Sequence, residues 1–556
     1  MSNAAIYLNP EAYQTGGKAL MGRHSAGESF LKGFLRHSSA ERFFFWNVAN
    51  KPQEELQALI DKLGGVNRPV TWIPRDQKQQ LSEPGCLFSP VPNVAKEAWS
   101  RRFYGAQSYS VCGITHTTAT DRVMDAIADM PLAPIEAWDA LICTSRAVRA
   151  SVEIELEAVQ EDLKARLGAT RLPPLRLEVI PLGINTSDFQ FDHAHRKAWR
   201  SQLKIPDDAL VALYVGRFNH TGKVHPVPMA IALERAQRVT GKEVHLIMSG
   251  WPMTEKSGPE YHATTSAFCP NVHYHQVDGR KPDVRFSIWS AADFFVSLSD
   301  NIQETFGLTP LEAMAVGLPT IVSDWDGYRD TVRHGIDGFR ISTYTPRSGL
   351  GRDLMYRYDN QWISYEAYVG AVCQFTAVDM NETVRAMVDL IQNPNLRTRL
   401  GRAAHQFAVQ NFDWRVIIPK YEELWRDLIA RRKADAPQAR NLSGNPSRLD
   451  PYHLFSPYPS EWVTPNTLVR FNPGSTVADA KRLLDTGLIN FAGFLLPQLS
   501  DVETMMATLS RTRQAQIRDL LAAVPASRRT RAERGIVFLA KYGILQILPR
   551  SDAIAN

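Results

Sequence analysis

The sequence is poor in cysteine, lacks long apolar runs and has no large excess of one charge. Its five cysteines are scattered and form no C-x-x-C pair, which argues against a disulfide framework or zinc ribbon and favours a reducing compartment. The most apolar runs, such as 488–496, fall well short of the roughly 20 residues that span a bilayer. The N-terminal residues do not show the basic start followed by an apolar stretch that indicates a signal peptide, so none is expected. We therefore expect a cytoplasmic protein, soluble or peripheral at the inner membrane face.

The charge balance and the length narrow the class of protein. The 63 basic and 58 acidic residues leave a formal charge of +5 over 556 residues, so nucleic-acid binding is not expected. Hydrophobic residues make up 44% and charged residues 22%, as in ordinary globular proteins. A chain of this length exceeds one hydrophobic core, which predicts two or three domains.

Short apolar runs alternate with amphipathic stretches, a pattern that predicts parallel βαβ units. The candidate strands of the first half are 4–8, 108–114, 140–143 and 177–180. The pattern restarts after Pro206. The candidate strands that follow are 209–215, 244–248, 294–298 and 320–322. Helical spacing is evident at about 25–37 and again over 412–432, where Pro419 would kink the helix or mark its start.

The composition changes after the last of these helices. Residues 433–451 are rich in Ala, Pro, Asn, Ser, Gly and Arg, which predicts a linker. Beyond it, helical patterns recur at 477–485 and 502–522. The predicted organisation is two α/β domains and a small, mainly helical appendage. Its bounds are 1–190 for the N-terminal domain, 191–432 for the second α/β domain with a closing helix, 433–451 for the linker and 452–556 for the accessory domain.

The most informative segment is Q-E-T-F-G-L-T-P-L-E-A-M-A-V-G-L-P at 303–319. It follows a predicted buried strand and opens a helix, the position where open α/β sheets bind ligands. The unpaired N–H groups of a helix start favour an anion such as a diphosphate. Glu304 and Glu312 would accept hydrogen bonds from sugar hydroxyls. For Glu312 a structural role is equally open, because Thr309, Pro310 and Glu312 have the spacing of a capping box.

A second cluster lies where another predicted strand ends in Gly216 and is followed by Arg217 and Lys223. Arginine binds phosphate oxygens in a bidentate manner and lysine adds a point charge. A Gly-Arg dipeptide alone is more simply an exposed basic loop. The glutamate segment on a neighbouring strand reverses that preference.

At these motifs the sequence resembles family 4 of the retaining glycosyltransferases, which have the GT-B fold of two Rossmann-like domains facing across a cleft. The resemblance covers about residues 1–432 and is stronger in the second α/β domain. It rests on the E-x7-E segment from Glu304 to Glu312, Gly216-Arg217 with Lys223, the Ile180-Pro181-Leu182-Gly183-Ile184 turn, and Cys143-Thr144-Ser145.

The resemblance implies a retaining enzyme that moves a hexose-type sugar from a nucleoside-diphosphate sugar to a hydroxyl of a glycan, glycolipid or protein. Arg217 and Lys223 would hold the donor diphosphate. Glu304 would contact the transferred sugar, and Glu312 the ribose. The implied catalytic residues are His116, Arg217, Lys223 and Glu304. The implied donor-binding residues are Gly16, Gly17, Gly216, Phe306, Gly307, Leu308 and Glu312.

In the first domain the resemblance places His116 near the donor sugar and the Gly16-Gly17 turn near the donor phosphate and the acceptor. The family analogy also implies a setting in bacterial surface-polysaccharide assembly. The resemblance implies nothing about the accessory domain at 452–556, which lies outside the residues it covers.

The sequence departs from the family's common G-G-x-P-E run, in whose place it has D-G-Y-R-D at 326–330. This leaves the sugar-side contacts and the donor sugar open. The preceding Asp324-Trp325-Asp326 is similar to the metal-binding D-x-D of the other large transferase fold. Its position predicts a loop, and Arg217 and Lys223 already offer phosphate neutralisation. We therefore expect a metal-independent enzyme with no cofactor other than its nucleotide-sugar donor.

Other functions stay open from the sequence alone. A nucleotide-sugar epimerase or a phosphorylase would share the fold, and a catalytically silent nucleotide-sugar-binding protein would share the site. The combination of two glutamates with Arg217 and Lys223 argues against the silent protein. For the tail, the alternatives are a contact with a protein partner, a membrane surface or the acceptor, and a winged-helix-like interaction or nucleic-acid module. The basic run at 528–531 is more simply a solvated face.

Overall fold

The computed structural model describes residues 3–14, 22–173, 175–254, 257–436 and 444–548. The chain divides into two compact units, Met1–Ser447 and Arg448–Asn556. The division falls within the predicted linker. The first unit is built on two large parallel sheets, and the second on a small antiparallel sheet with helices.

The first parallel sheet has seven strands in the order β3-β2-β1-β4-β5-β6-β7. The strands are β1 Ala5–Leu8, β2 Phe43–Asn47, β3 Val70–Pro74, β4 Cys86–Ser89, β5 Ser110–Ile114, β6 Ala140–Cys143 and β7 Arg176–Val179. The helices between them are α1 Gly22–His37, α2 Gln53–Lys62, α3 Val94–Arg101, α4 Asp121–Ala128 and α5 Arg146–Leu167. Phe43 and Phe45 lie in one hydrophobic cluster and Phe44 and Trp46 in another, so both faces of the sheet are buried.

The second parallel sheet has six strands in the order β10-β9-β8-β11-β12-β13. These are β8 Leu210–Val215, β9 Val244–Gly250, β10 His273–Asp278, β11 Phe294–Ser297, β12 Thr320–Ser323 and β13 Gly338–Ile341, with a small pair formed by β14 Thr343–Tyr344 and β15 Ala377–Val378. Its helices are α6 His193–Leu203, α7 Pro226–Thr240, α8 Ser257–Ala267, α9 Pro282–Ser287, α10 Leu308–Val316, α11 Tyr328–Thr331, α12 Arg352–Asp359, α13 Tyr365–Gln374, α14 Met380–Gln392, α15 Pro394–Asn411 and α16 Trp414–Ala434.

Each sheet is built outward from an inner strand, β1 or β8, to one edge, and the chain then continues on the other side of that strand. Rossmann domains have this strand order. The predicted GT-B arrangement of two such domains is therefore confirmed. Every strand that the sequence predicted in this unit is present, with ends displaced by at most two residues.

Helix α16 returns from the second domain to the first. It begins at Trp414, where the Asp413 side chain accepts a hydrogen bond from the N–H of Arg415, and Pro419 lies inside it rather than at its start. The Trp414 ring is fully buried and meets Phe30 of α1 at 5.6 Å between ring centroids. Its Nε1 donates to Ser29 Oγ at 2.8 Å. This helix therefore packs against the first domain at the end of the first unit.

The second unit is mainly helical, as predicted, and it also contains a small sheet. It consists of α17 Pro451–Leu454, β16 Leu468–Phe471, α18 Val477–Asp485, α19 Leu499–Thr512, β17 Gln514–Gln516, α20 Ile517–Ala522, α21 Arg529–Lys541 and β18 Leu545–Ile547. The strands form an antiparallel sheet in the order β17-β16-β18. The single helix predicted over 502–522 is wrong: Arg513 takes a φ of 65° and ends α19, and the next three residues pair with β16.

Two further properties concern the cellular setting. Across the described ranges, no helix is both long and apolar enough to cross a lipid bilayer. All five cysteines are buried thiols.

Candidate functional site

The site is formed by loops that follow the carboxyl ends of parallel strands. In the second sheet the strand order reverses between β8 and β11, which opens a crevice there. The chain leaves β8 through Gly216 and Arg217, and it leaves β11 toward Glu304. The two predicted clusters therefore meet at one switch point, although 80 residues of sequence lie between them.

Arg217 is a buried cation. Only 9% of the residue is exposed, its Nε has no hydrogen-bond partner, and its Nη1 donates to Met253 Sδ at 3.6 Å. In the described ranges no carboxylate lies within 4.0 Å of the guanidinium. Burial lowers the pKa of Arg217, and Tyr214 and Glu304 oppose that shift. A buried cation without a carboxylate is costly unless an anion binds there.

Lys223 and Glu304 form an ion pair at the same crevice. Lys223 Nζ lies 2.6 Å from Glu304 Oε2, and both side chains are largely buried. Burial would raise the pKa of Glu304, but the charge of Lys223 and the N–H groups of Thr305 and Phe306 lower it overall. An Asx turn precedes the lysine, because Asn219 Oδ1 accepts from the N–H of Thr221 at 3.1 Å and also from that of Gly222 at 2.9 Å. Glu304 is therefore an ionised acceptor held toward the crevice.

Helix α10 places its N-terminus beside these residues. Its N-cap is Gly307, with a φ of 85°, and no side chain caps the first turn. The capping box considered for Thr309, Pro310 and Glu312 is therefore wrong, because Leu308 already begins the helix. A side chain on Gly307 would collide with the Tyr328 ring, whose hydroxyl lies 2.9 Å from Ser297 Oγ. The free N–H groups of α10 remain available to an anion.

The other predicted donor residues take different positions. Phe306 is 1% exposed and packs against Phe412 at 6.1 Å, so its side chain belongs to the core. Leu308 is half-buried at the start of α10. Gly216 is required by Tyr214, whose hydroxyl occupies the place of a side chain there. Gly16 and Gly17 lie outside the described residues.

Glu312 is the residue of α10 that the ribose prediction concerns. It lies three residues after Thr309 and is partly exposed. Burial raises its pKa to about 7, although the charges of Arg285 and Lys223 act in the opposite direction. A carboxyl with this pKa changes its charge near neutral pH. Its ionised form would accept two hydroxyl hydrogen bonds.

The raised pKa of Glu312 predicts a pH-dependent effect of one substitution. The native state binds more protons at this residue than the unfolded state between its ordinary value of 4.5 and about 7, so the residue lowers stability as the pH rises through that window. We expect Glu312→Gln to unfold at a higher temperature than the parent at pH 8, with the difference vanishing near pH 4.5. Thermal unfolding across this range checks it, and a pH-independent difference would contradict the raised pKa.

The first domain reaches the site across the cleft. Thr305 Oγ1 donates to the carbonyl oxygen of His116 at 3.1 Å, and Thr144 Oγ1 lies 3.5 Å from the carbonyl oxygen of Thr305. His116 follows β5 and Thr144 follows β6, so both come from carboxyl ends of strands. The segment that carries Glu304 therefore contacts the predicted histidine segment directly.

Asp326 is a site residue that the motifs did not indicate. It has a φ of 46°, its Oδ1 lies 3.3 Å from Ser145 Oγ, and its Oδ2 is buried without a partner. Burial and then the charge of Glu304 raise its pKa well above the ordinary range. Its partnerless Oδ2 makes this carboxyl a candidate hydrogen-bonding group of the cleft. The only sequence signal was the departure from the family's G-G-x-P-E run.

Asp324 and Asp326 have different surroundings. Asp324 Oδ1 lies 3.4 Å from Arg340 Nε and 3.8 Å from Arg329 Nε. Asp326 instead meets Ser145 of the first domain. The D-x-D triplet lies in a loop, as predicted, and its two carboxylates do not share a partner.

The segment that carries these site residues is similar to a known protein family. Residues 195–349 match the sequence profile of the family described as glycosyl transferases group 1. This segment contains Arg217, Lys223, Glu304 and Glu312. The matched segment lies within the second of the two Rossmann-like domains.

Two curated relatives illustrate the similarity. The D-inositol 3-phosphate glycosyltransferase of Thermobispora bispora is 24% identical over 272 residues, which are 48% of this chain and 54% of the relative. The lipopolysaccharide 1,2-N-acetylglucosaminetransferase of Salmonella typhimurium is 24% identical over 188 residues, 33% of this chain and 48% of the relative. The chain spans about half the length of the curated relatives it matches.

Solved structures include similar chains. The Anabaena protein HepE in complex with UDP and glucose superposes with a TM-score of 0.49 and 14% identity, over 76% of this chain and 100% of that one. The sucrose-phosphate synthase of Thermosynechococcus elongatus has a TM-score of 0.46 and 18% identity, over 78% of this chain and 100% of that one.

Proposed function

We propose that the protein is a retaining glycosyltransferase of family 4 that moves a hexose-type sugar from a nucleoside-diphosphate sugar to a hydroxyl acceptor. The observation that carries the proposal is Arg217, a buried guanidinium without a carboxylate partner beside the open N-terminus of α10. That pair of groups suits a diphosphate.

The donor's two ends meet different groups in this proposal. Arg217 and the N–H groups of α10 hold the diphosphate, and Glu312 accepts hydrogen bonds from the ribose. Glu304, held by Lys223 at 2.6 Å, accepts hydrogen bonds from the transferred sugar. Lys223 exchanges part of its interaction with Glu304 for the distal phosphate when the donor binds.

Catalysis is electrostatic. Negative charge develops on the leaving diphosphate, and Arg217, Lys223 and the helix N-terminus are fixed where that charge appears. The acceptor hydroxyl attacks from the face that the diphosphate leaves, and a donor phosphate oxygen takes its proton. No protein nucleophile is assigned. Phosphate neutralisation by these groups requires no metal ion.

Closure of the two domains protects the bound donor from water. The hydrogen bonds from Thr305 to His116 and from Thr144 to Thr305 cross the cleft beside Glu304. They support the proposal that the His116 side chain approaches the sugar side of the donor. Excluding water in this way suppresses hydrolysis of the donor.

The acceptor is proposed more broadly, as a hydroxyl of a glycan, glycolipid or protein in surface-polysaccharide assembly at the cytoplasmic face of the membrane. Two of the relatives are a D-inositol 3-phosphate glycosyltransferase and a lipopolysaccharide 1,2-N-acetylglucosaminetransferase. Their different acceptors support a broad proposal for the acceptor.

The first test is thermal unfolding of the full chain with UDP, GDP, ADP and their common sugar conjugates, with and without a chelator. A ligand at a hundred times its Kd stabilises the folded state by about 2.7 kcal/mol. We expect one base to raise the unfolding temperature, with no effect of the chelator, and Arg217→Ala to lose the shift. No shift with any nucleotide would reject the donor site.

Stereochemistry is tested separately once the donor is known. The anomeric configuration of the product, read by NMR coupling constants, should equal that of the donor. An inverted product would reject retention and leave the donor site intact.

Asp326 gives a prediction about donor-sugar recognition. Replacing it with glycine removes a left-handed residue and an unpaired buried carboxyl, so we expect the free energy of unfolding to rise by about 1 kcal/mol. The KM for the donor should rise at the same time, because a hydrogen bond to the sugar is lost. Asp326→Asn is the control that keeps volume and backbone strain. A stabilised Asp326→Gly enzyme with unchanged KM would exclude the sugar contact.

A further inference from the structure

A cluster of histidines lies at the amino ends of β9 and β10, far from the proposed donor site. His245 and His273 stand opposite each other in the parallel register, and their rings stack at 4.6 Å between centroids. His245 Nε2 lies 2.9 Å and His273 Nε2 lies 3.7 Å from the same oxygen, Glu243 Oε1. Six residues separate Val211, which pairs with His245, from Arg217, or about 20 Å of extended strand.

The three groups have the geometry of a metal site. One ligand atom from each of Glu243, His245 and His273 lies within 4.8 Å of the others. Zinc bound at about 2.0–2.1 Å in tetrahedral geometry needs ligand atoms about 3.4 Å apart, which lies between the two measured distances. Imidazole and carboxylate are both zinc ligands.

A fourth residue completes the arrangement. His275 Nε2 lies 2.9 Å from His245 Nδ1. When Nδ1 of His245 carries the proton and donates it to His275, Nε2 presents its lone pair toward Glu243 and His273. Ligating histidines commonly donate their second N–H in this way. A proton on His245 Nε2 would explain only the contact between His245 and Glu243. The approach of His273 to the same Glu243 oxygen favours an ion shared by all three residues.

We propose that Glu243, His245 and His273 bind one divalent transition-metal ion of the zinc class, which fastens the edge strand β10 to β9. The fourth position is open to water, because Glu243 and His273 are 45% and 59% exposed. The site is structural and independent of the donor chemistry at the opposite end of the sheet.

The test uses the full chain after treatment with a chelator. Titration with zinc chloride should show one binding event by calorimetry and raise the unfolding temperature. His273→Ala and Glu243→Gln, both at exposed positions, should weaken that binding at least about tenfold. His195→Ala is the matched control, since this residue is similarly exposed at 53% and lies 4.0 Å from Asp192.

Two results would overturn the metal site. The parent protein failing to bind zinc, nickel or copper would show that a proton alone occupies the gap. Binding that persists unchanged in both His273→Ala and Glu243→Gln would place the ion elsewhere.

A second, independent observation concerns the loop between α18 and α19 in the second unit. Leu488, Phe491 and Phe494 are 91%, 83% and 72% exposed, and Leu495 beside them is 38% exposed. Such a concentration of large apolar side chains in water marks a surface that something covers. The side chains stand outward on a loop and line no groove.

Positive charge lies next to this loop. The loop ends at Pro497, which packs directly against Gly535 of α21. Arg531 lies one turn before Gly535 on the same helix face, and its side chain is exposed. Residues 448–548 contain twelve Lys and Arg against eight Asp and Glu, so this part of the chain carries most of the net charge of +5.

We infer that the loop 488–495 inserts into the interface of an anionic membrane, with Arg531 of α21 at the level of the headgroups. Apolar side chains flanked by basic residues are the features that bind lipid interfaces. Charge complementarity distinguishes this occupant from an apolar protein surface, for which Arg531 would have no partner.

Vesicle flotation of the full chain tests the inference. Phosphatidylcholine vesicles containing phosphatidylglycerol should carry the protein, and phosphatidylcholine vesicles alone should carry much less. Leu488→Ser with Phe491→Ser and Phe494→Ser should reduce the partition coefficient at least about tenfold. Ile154→Ser with Leu167→Ser removes two side chains of 69% and 64% exposure from the first unit and should have no effect.

Three results would overturn the membrane inference. These are a parent protein that does not float with anionic vesicles, a triple variant that floats like the parent, and a triple variant that dissociates a dimer of the parent in solution. The last result would assign the loop to a second copy of this chain.

Discussion

Arg217→Ala is expected to lower kcat by about 10²–10³-fold, the usual cost of removing one fixed donor to a developing anion. The same change should leave the free energy of unfolding unchanged or raise it, because the guanidinium is buried without a carboxylate. The measurement is initial rate at saturating donor, together with thermal unfolding. Loss of activity without loss of stability separates a functional residue from a structural one.

The control for this experiment is Arg166→Ala, which removes an arginine of 63% exposure paired with Asp162 on α5. It should change neither quantity. Arg217→Lys should recover only part of the rate, because an ammonium cannot replace the bidentate geometry. Turnover of Arg217→Ala equal to that of the parent, from folded protein, would contradict the proposed role.

The largest effect on stability is expected from Trp414→Ala. The ring is fully buried between Gly33 and Gly183, and a side chain at Gly183 would approach it to 2.6 Å. Its Nε1 bond to Ser29 is lost as well. We expect the free energy of unfolding to fall by about 3–5 kcal/mol, the range for buried aromatic residues replaced by alanine.

Denaturant titration followed by far-UV circular dichroism measures this loss. Trp362→Ala is the matched control, because that ring is 64% exposed and should cost little. If the two variants lose similar stability, Trp414 does not fasten the first unit. Gly183→Leu should resemble Trp414→Ala, since the added side chain would displace the same ring.

The strands of the second sheet were predictable because each is a short apolar run that ends at a turn. β8, β11 and β12 have this form, and buried parallel strands require it. The two edge strands β10 and β13 were not predicted, because their sequences H-Y-H-Q-V-D and G-F-R-I contain polar, half-exposed residues. β2, β3 and β4 of the first sheet were likewise not singled out, and the segment that holds them has no clear hydrophobic period.

The site was predictable where a motif coincides with a strand end. Arg217 and Glu304 were found because carboxyl ends of neighbouring parallel strands meet, whatever the separation along the chain. Asp326 and Tyr328 were not, since their roles depend on a φ of 46° and on a ring placed beneath Gly307. Neither the backbone angle nor the position of the ring can be inferred from the residue types alone. The pairing of Lys223 with Glu304 also required three-dimensional geometry.

The second unit shows a different limit. The helical period of 502–522 continues across α19 and α20, so the pattern alone predicts one helix. The interruption depends on Arg513 adopting a left-handed conformation and on β16 offering a partner for 514–516. A three-residue strand stabilised by a distant segment leaves no local signal.

The two chain segments that cross between the α/β domains are joined to each other. Ile184 N–H donates to the carbonyl oxygen of Phe412 at 2.8 Å, and Trp414 N–H donates to that of Ile184 at 3.1 Å. A single connecting segment would allow the two domains to rotate about several axes. Two segments hydrogen-bonded side by side favour rotation about one axis, which opens and closes the cleft. If the cleft opens to bind the proposed donor, this pair of crossings would return His116 to the same place each time it closes.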